Sequence, residues 1–281
     1  MSEHPAEPAT GAALRAPLDG AEAQQLLCEG EIDLEGRLLD ASNVTLVGTI
    51  RTGTLTAECV YKPVAGERPL WDFPDGTLAG REVAAYAVSE ATGWDVVPPT
   101  VMREGPFGPG MVQLWIDTVD DDRDALVDVL PPASLPDGWL RVLDALGSDG
   151  EPVVLGHADD DRLRRMTVLD VVLNNADRKG GHVLVEPGGA VHGVDHGVSF
   201  HTDPKLRTEL WGWAGEQLRP TEVDVLEGLR EGLLGTLGTT LVDLVSRHEV
   251  LATRRRVERL LHEGRLPFPV EGWPAIPWPP F

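Results

Sequence analysis

The sequence predicts an α+β fold in two lobes, an antiparallel sheet followed by a helical half. Three observations lead there. Residues 32–62 alternate apolar and polar side chains between turn signals, the period of strands with one face buried. From about residue 120 the period changes to that of amphipathic helices. The 281 residues are 42% hydrophobic and 25% charged, a composition that supports one large core or two packed lobes.

Taken in order, residues 1–18 are rich in Ala, Pro and Glu without period and read as a disordered arm. A short helix is expected at 21–29. Ile32 to Leu39, Val44 to Ile50 and Leu55 to Lys62 form a three-stranded meander, with turns at Asp40 to Asn43 and at Thr52-Gly53. After a Pro/Gly-rich connection from Pro63 to Gly76, Leu78 to Thr92 has helical spacing and ends at Gly93, suited to a left-handed cap. Val97 to Met102 and Met111 to Ile116 are two more strands around a Gly/Pro turn. In the second half helices are expected at 136–146 and 159–174, the latter started by Asp159 or Asp160 and buried along Leu163, Met166, Leu169 and Val172. Two short strands, Val183 to Val185 and Val191 to Val194, precede helices at 221–233, 235–246 and 247–263. The resulting division is an arm (1–18), a sheet lobe (19–118), a helical lobe (119–266) and a Pro/Trp-rich tail (267–281).

The charge balance is 24 Lys+Arg against 46 Asp+Glu, a net −22 with a pI near 4.6. Such a field repels phosphate backbones and anionic membranes, so no nucleic-acid partner is expected. Cys28 and Cys59 cannot build a disulfide framework or a thiolate metal site. There is no apolar leader and no apolar run long enough to span a bilayer, so a cytoplasmic protein without a transmembrane segment is expected. Lys occurs only at 62, 179 and 205, and Asn only at 43, 174 and 175. In a chain this poor in both, those positions point to retained chemistry.

The stretch Asn175-Ala176-Asp177-Arg178-Lys179-Gly180-Gly181-His182 leaves a helix as a polar loop and enters a hairpin that runs into Gly193-Val194-Asp195-His196-Gly197. This is the layout of a kinase catalytic loop followed by a metal-binding loop. In that chemistry the first Asp orients or deprotonates the acceptor hydroxyl, a ligand five residues later holds the metal, and the second Asp chelates the cation that bridges the phosphates. The matching positions are Asp177, His182 and Asp195. Lys62, at a strand end, could reach the α- and β-phosphates, with Glu82 aligning it.

These motifs resemble the catalytic and metal loops of the phosphatidylinositol 3-/4-kinase-related superfamily and, more distantly, of HipA-type kinases. Lys62 to Pro74, Arg81-Glu82 and Leu210-Trp211-Gly212-Trp213-Ala214-Gly215 are similar to an actinobacterial kinase-like family, over about residues 20–265. The resemblance implies a two-lobed atypical protein/lipid-kinase-like fold with ATP between the lobes and Mg²⁺ or Mn²⁺ held by His182 and Asp195. It implies Asp177, Lys62, Arg178 and Lys179 as catalytic residues. Ser42, Asn43, Lys62, Glu82, Gln113, Leu114 and Trp115 would bind the nucleotide, the last three as the hinge that reads adenine. The acceptor would be a hydroxyl on a small molecule or a protein. Such kinases usually carry Asn where this chain has His182, and imidazole suits Mn²⁺ better than Mg²⁺. Two other activities fit the same motifs, a nucleotide-binding pseudokinase or regulatory module and a nucleotidyl transferase. Lys205 and Arg207, beside the tryptophans of 211–213, could meet an anionic acceptor or serve packing. Arg254-Arg255-Arg256 reads as the solvated face of a terminal helix.

Overall fold

The computed structural model describes residues 18, 20–38, 43–74, 76–119 and 125–279. The expected arm, apart from its last residue, and the Asp40 to Ser42 turn therefore lie outside the described residues.

The first lobe is a five-stranded antiparallel sheet in the order β1-β2-β3-β5-β4, formed by β1 (Glu31–Arg37), β2 (Leu46–Thr52), β3 (Leu55–Pro63), β4 (Thr100–Gly105) and β5 (Gly108–Leu114). Helix α1 (Gly20–Glu29) covers one face, where Leu26 and Leu27 pack on Ile50, Cys59, Tyr61 and Val112. The alternation of β3 puts Cys59 and Tyr61 into that core and turns Val60 and Lys62 to the opposite face. Helix α2 (Leu78–Thr92) is capped by Thr77, whose hydroxyl accepts from Gly80 N, and ends at Gly93 with φ 66°. Its residues Ala84, Ala85 and Val88 join the core of the second lobe, so α2 bridges the two.

The second lobe contains α3 (Asp161–Leu173), α4 (Pro220–Leu234), α5 (Thr236–Leu241) and α6 (Arg247–Glu263). Asp160 caps α3, and Asn174 ends it in the left-handed conformation. The hairpin of β9 (Val183–Val185) and β10 (Val191–Gly193) lies between α3 and the later helices. The two-lobed α+β fold expected from the sequence is thus present.

Three elements differ. The helix expected at 136–146 is a strand, β7 (Trp139–Leu146), which with two strands that the sequence reading did not place, β6 (Val127–Leu130) and β8 (Pro152–Ala158), makes a second antiparallel sheet in the order β6-β8-β7. Trp139, Leu140, Val142 and Leu143 fit either period over so short a run, and pairing with the Val153-Val154-Leu155 stretch of β8 decided between them. The Arg254-Arg255-Arg256 stretch also departs from expectation. Arg256 turns inward, donating from Nε to Val172 O at 2.7 Å and from Nη1 to His201 O at 3.1 Å. No helix among the described residues is long and apolar enough to cross a membrane.

Candidate active site

A cleft of about 330 Å³ opens between the sheet and the β9–β10 hairpin, lined among others by Val60, Lys62, Leu114, Ile116, Leu184 and Asp195. Lys62 projects into it because strand alternation sends that face of β3 away from the core. Its ammonium lies 2.8 Å from Glu82 Oε1 and also pairs with Asp195 Oδ1. Burial opposes the charge on Lys62, but the two carboxylates outweigh it and hold the ammonium above its usual range. Glu82 uses its second oxygen to accept His196 N at 2.8 Å. That carboxylate is held in place because the α2 N-terminus is fixed by Glu67, which accepts from Leu78 N and Ala79 N at 2.9 and 2.8 Å.

Asp195 adopts φ 58°, a left-handed conformation that costs strain in a non-glycine residue and aims the carboxylate at Lys62. Lys62 holds the Asp195 carboxyl well below the usual range, although half of the side chain is exposed. His182 Nε2 lies 3.6 Å from Asp195 Oδ2. Burial pushes the imidazole down to about 4, so it is neutral and able to accept a cation over the ordinary pH range. No cluster of three metal-ligating side chains occurs among the described residues. One imidazole and one carboxylate fit a divalent cation that arrives with phosphate oxygens, and do not fit a cation caged by protein alone.

Asp177 follows the end of α3. Its backbone N–H donates to Asn175 Oδ1 at 3.0 Å, and its carboxylate lies 3.7 Å from Lys179 Nζ. Burial raises its pKa against the opposing charges of Lys179 and Arg207. The structure therefore brings Lys62, Glu82, Asp195 and His182 into one set of contacts, and Asp177 and Lys179 into another on the adjoining loop.

Four expected residues sit differently. Arg178, expected among the reacting groups, is fully buried and points inward. It forks onto Asp170, with Nε 2.8 Å from Oδ2 and Nη2 3.0 Å from Oδ1. It also donates from Nη1 to His182 O at 3.2 Å and Val194 O at 3.0 Å, and its Nη2 lies 2.6 Å from His196 Nε2. One guanidinium so ties the Asp177 loop to both ends of the hairpin. Gly193 is required beside it, since a Cβ there would stand 2.9 Å from Arg178 Nη2. Asn43 is absent from the cleft lining, and its Oδ1 accepts Arg68 N at 2.8 Å instead; Ser42 lies outside the described residues. Gln113, Leu114 and Trp115 do line the cleft. Yet Leu114 N already donates to Pro99 O at 2.9 Å and Trp115 N to Glu58 O at 3.1 Å, whereas Ile116 to Thr118 make no backbone hydrogen bond among the described residues.

The sequence reading missed Asp170 and Glu209, and singled out Arg207 only as a residue that could meet an anionic acceptor or serve packing. Arg207 donates from Nε to Ala176 O at 2.6 Å, bracing the loop that holds Asp177. Glu209 is fully buried, accepts Gly180 N at 2.8 Å through Oε2, and has no partner for Oε1 among the described residues. Burial pushes its carboxyl up to about 7 against the pull of the Gly180 amide and Lys179. Asp170 lies one helical turn before the rare Asn174, but nothing local marks Glu209.

No protein-family model matches the chain. Among solved structures, the Helicobacter pylori proinflammatory kinase CtkA is similar with a TM-score of 0.37 and 10% identity, over 83% of this chain and 97% of that one. Protein Rv2133c of Mycobacterium tuberculosis (strain ATCC 25618 / H37Rv) is 49% identical over 263 residues, covering 91% of this chain and 94% of that protein. At that identity and coverage, the chain belongs to the family of the mycobacterial protein Rv2133c.

Proposed function

We propose that the protein is an ATP-dependent phosphotransferase, of the type that the phosphatidylinositol 3-/4-kinase superfamily represents, acting on a hydroxyl of a small-molecule or protein acceptor. The observation that carries this reading is the sharing of the Lys62 ammonium between Glu82 and Asp195 at the edge of a cleft large enough for a nucleotide. In this reading Lys62 meets the α- and β-phosphates, and the base lies against Val60, Leu114 and Leu184 with its edge read by the backbone of Ile116 to Thr118. His182 and Asp195 hold Mg²⁺ or Mn²⁺, which when bound neutralises the charge on the phosphates. Asp177 accepts the hydrogen bond of the acceptor hydroxyl and aligns it for in-line attack. Lys179 offsets charge beside it. Arg178 holds the loops in register and takes no part at the reacting atoms.

The test is incubation of purified protein with γ-labelled ATP, Mg²⁺ or Mn²⁺ and fractionated metabolites, with Lys62→Met as control. Label transferred to an acceptor by wild type and not by the control supports the proposal. Transfer from α-labelled ATP alone points to nucleotidyl transfer, and tight ATP binding without any transfer points to a nucleotide-binding module.

A further inference from the structure

Lys205 is the one lysine of three that the proposed chemistry does not use. Its backbone belongs to a segment fastened along the catalytic loop. Asn174 donates from Nδ2 to His201 O and Asp203 O at 2.9 and 2.7 Å, and its Oδ1 accepts Lys205 N at 2.9 Å. Two residues on, Arg207 N donates to Asn175 O and Arg178 N to Arg207 O, at 3.0 and 3.1 Å.

The side chain of Lys205 runs the other way and meets two distant parts of the chain. Its ammonium lies 3.0 Å from Asp72 Oδ2. It stands 5.3 Å from the ring centre of Phe73, 5.4 Å from that of Trp273 and 5.6 Å from that of Trp71. Trp71 is 91% exposed, so Phe73 and Trp273 contribute most of the attraction. Lys205 itself is 7% exposed and has surrendered its hydration, which the carboxylate and the more distant carbonyl of one loop residue, Asp72, do not replace. The residues 71–73 belong to the β3–α2 connection, whose Glu67 caps the helix carrying Glu82. Trp273 belongs to the tail, which also faces Arg207 through its ring at 5.5 Å and accepts Thr208 N and Trp211 Nε1 at Ala275 O, at 3.0 and 2.9 Å.

We propose that Lys205 is a latch: by joining the β3–α2 connection and the C-terminal tail to the segment braced on the catalytic loop, it keeps Glu82 and Asp177 in register and is a positioning residue for the site. Its charge, and not the packing of its stem, is what the surrounding rings and Asp72 recognise. Lys205→Met, which keeps the stem, and Lys205→Arg, which keeps the cation and favours aromatic faces, separate the two.

The experiment is amide hydrogen exchange by mass spectrometry on the full-length protein and both variants, followed by ATP turnover. Lys205→Met is expected to raise exchange about tenfold together in peptides from 64–74, 174–182, 200–212 and 266–279, leaving α6 unchanged, while Lys205→Arg stays at the wild-type level. An increase confined to 200–212, or none, overturns the latch. An increase that spares 174–182 overturns the positioning role. Should Lys205→Met fail to fold, Trp273→Leu takes its place, with joint loosening of 64–74 and 266–279 expected and an unchanged 64–74 refuting the idea. The turnover arm rests on the phosphotransferase reading: kcat should fall about tenfold with KM for ATP nearly constant. A wild-type protein that turns over no ATP sinks that reading alone, since the exchange pattern decides the latch separately.

Discussion

Lys62 and Glu82, twenty residues apart in sequence, form a 2.8 Å ion pair across the cleft edge. The second oxygen of Glu82 accepts the backbone N–H of His196, the residue after Asp195. One carboxylate therefore fixes the sheet-lobe lysine and the loop of the second aspartate at once, and any movement of α2 alters both.

Removing the cation from that arrangement should disable the site without unfolding the protein. Lys62→Met leaves the buried Glu82 carboxylate with its His196 bond but without its cation, so stability should fall by about 3 kcal/mol, the low end for breaking a buried pair, with the variant still folded below its lowered melting temperature. ATP turnover should drop at least ~100-fold. A folded variant with unchanged ATP affinity and turnover removes Lys62 from the site.

The two aspartates should fail differently. Asp195→Asn takes away a chelating charge and should abolish metal-dependent ATP binding. Asp177→Asn should still bind ATP with metal but lose transfer, a fall in kcat with little change in KM. Calorimetric titration of ATP beside a turnover assay separates them, and two variants with the same defect contradict the assigned roles.

The buried fork between Arg178 and Asp170 should matter for stability more than for chemistry. Asp170→Asn leaves the fully buried Arg178 charge without its counterion, a change worth about 3–5 kcal/mol. Denaturant unfolding measures this directly, and a loss under about 1 kcal/mol would mean that the pair does not anchor the loop.

Glu209 sets a pH dependence whose sign follows from burial. Its carboxyl stands at about 7 in the folded chain against an ordinary 4.5. Between those values the folded state keeps a proton that the unfolded chain has lost, so stability falls as pH rises through the window, and the full penalty is present above 7. Glu209→Gln keeps an acceptor for Gly180 N–H and removes the charge. It should melt higher than wild type near pH 8, with the gap closing toward about pH 5. A gap of equal size at both pH values would show that the carboxyl does not titrate there.

His182→Asn tests the metal. Replacing imidazole by an amide oxygen should shift activity from Mn²⁺ toward Mg²⁺, by severalfold in the ratio of the two rates. Identical metal preference in the two proteins places His182 outside the coordination shell.

Much of the arrangement was legible because its signals are local. The alternation of β3 marked which face Lys62 takes, the scarcity of lysine marked the residue itself, and the loop-hairpin-loop layout placed Asp177 and Asp195 on the two loops that flank the β9–β10 hairpin. The strand β7 was misread because eight residues rich in Leu and Val satisfy both periods, and only the partner strand β8 selects one. The inward turn of Arg178 was invisible because Asp-Arg-Lys reads as a wet loop until Asp170 and two carbonyls are seen around the guanidinium.

What the sequence by itself determined is therefore the elements of the sheet lobe, most of the later helices and the order of the candidate site residues along the chain, since helix caps, strand periods and turn residues act over a few positions. Which charges are buried, and against what, was decided only by the tertiary structure. Lys205 meets Asp72 across 133 residues and Trp273 from the tail. Glu209 reaches Gly180 from another segment. Coulombic and cation–π attractions depend on distance in space and on the exclusion of water, and neither quantity exists until the lobes have packed.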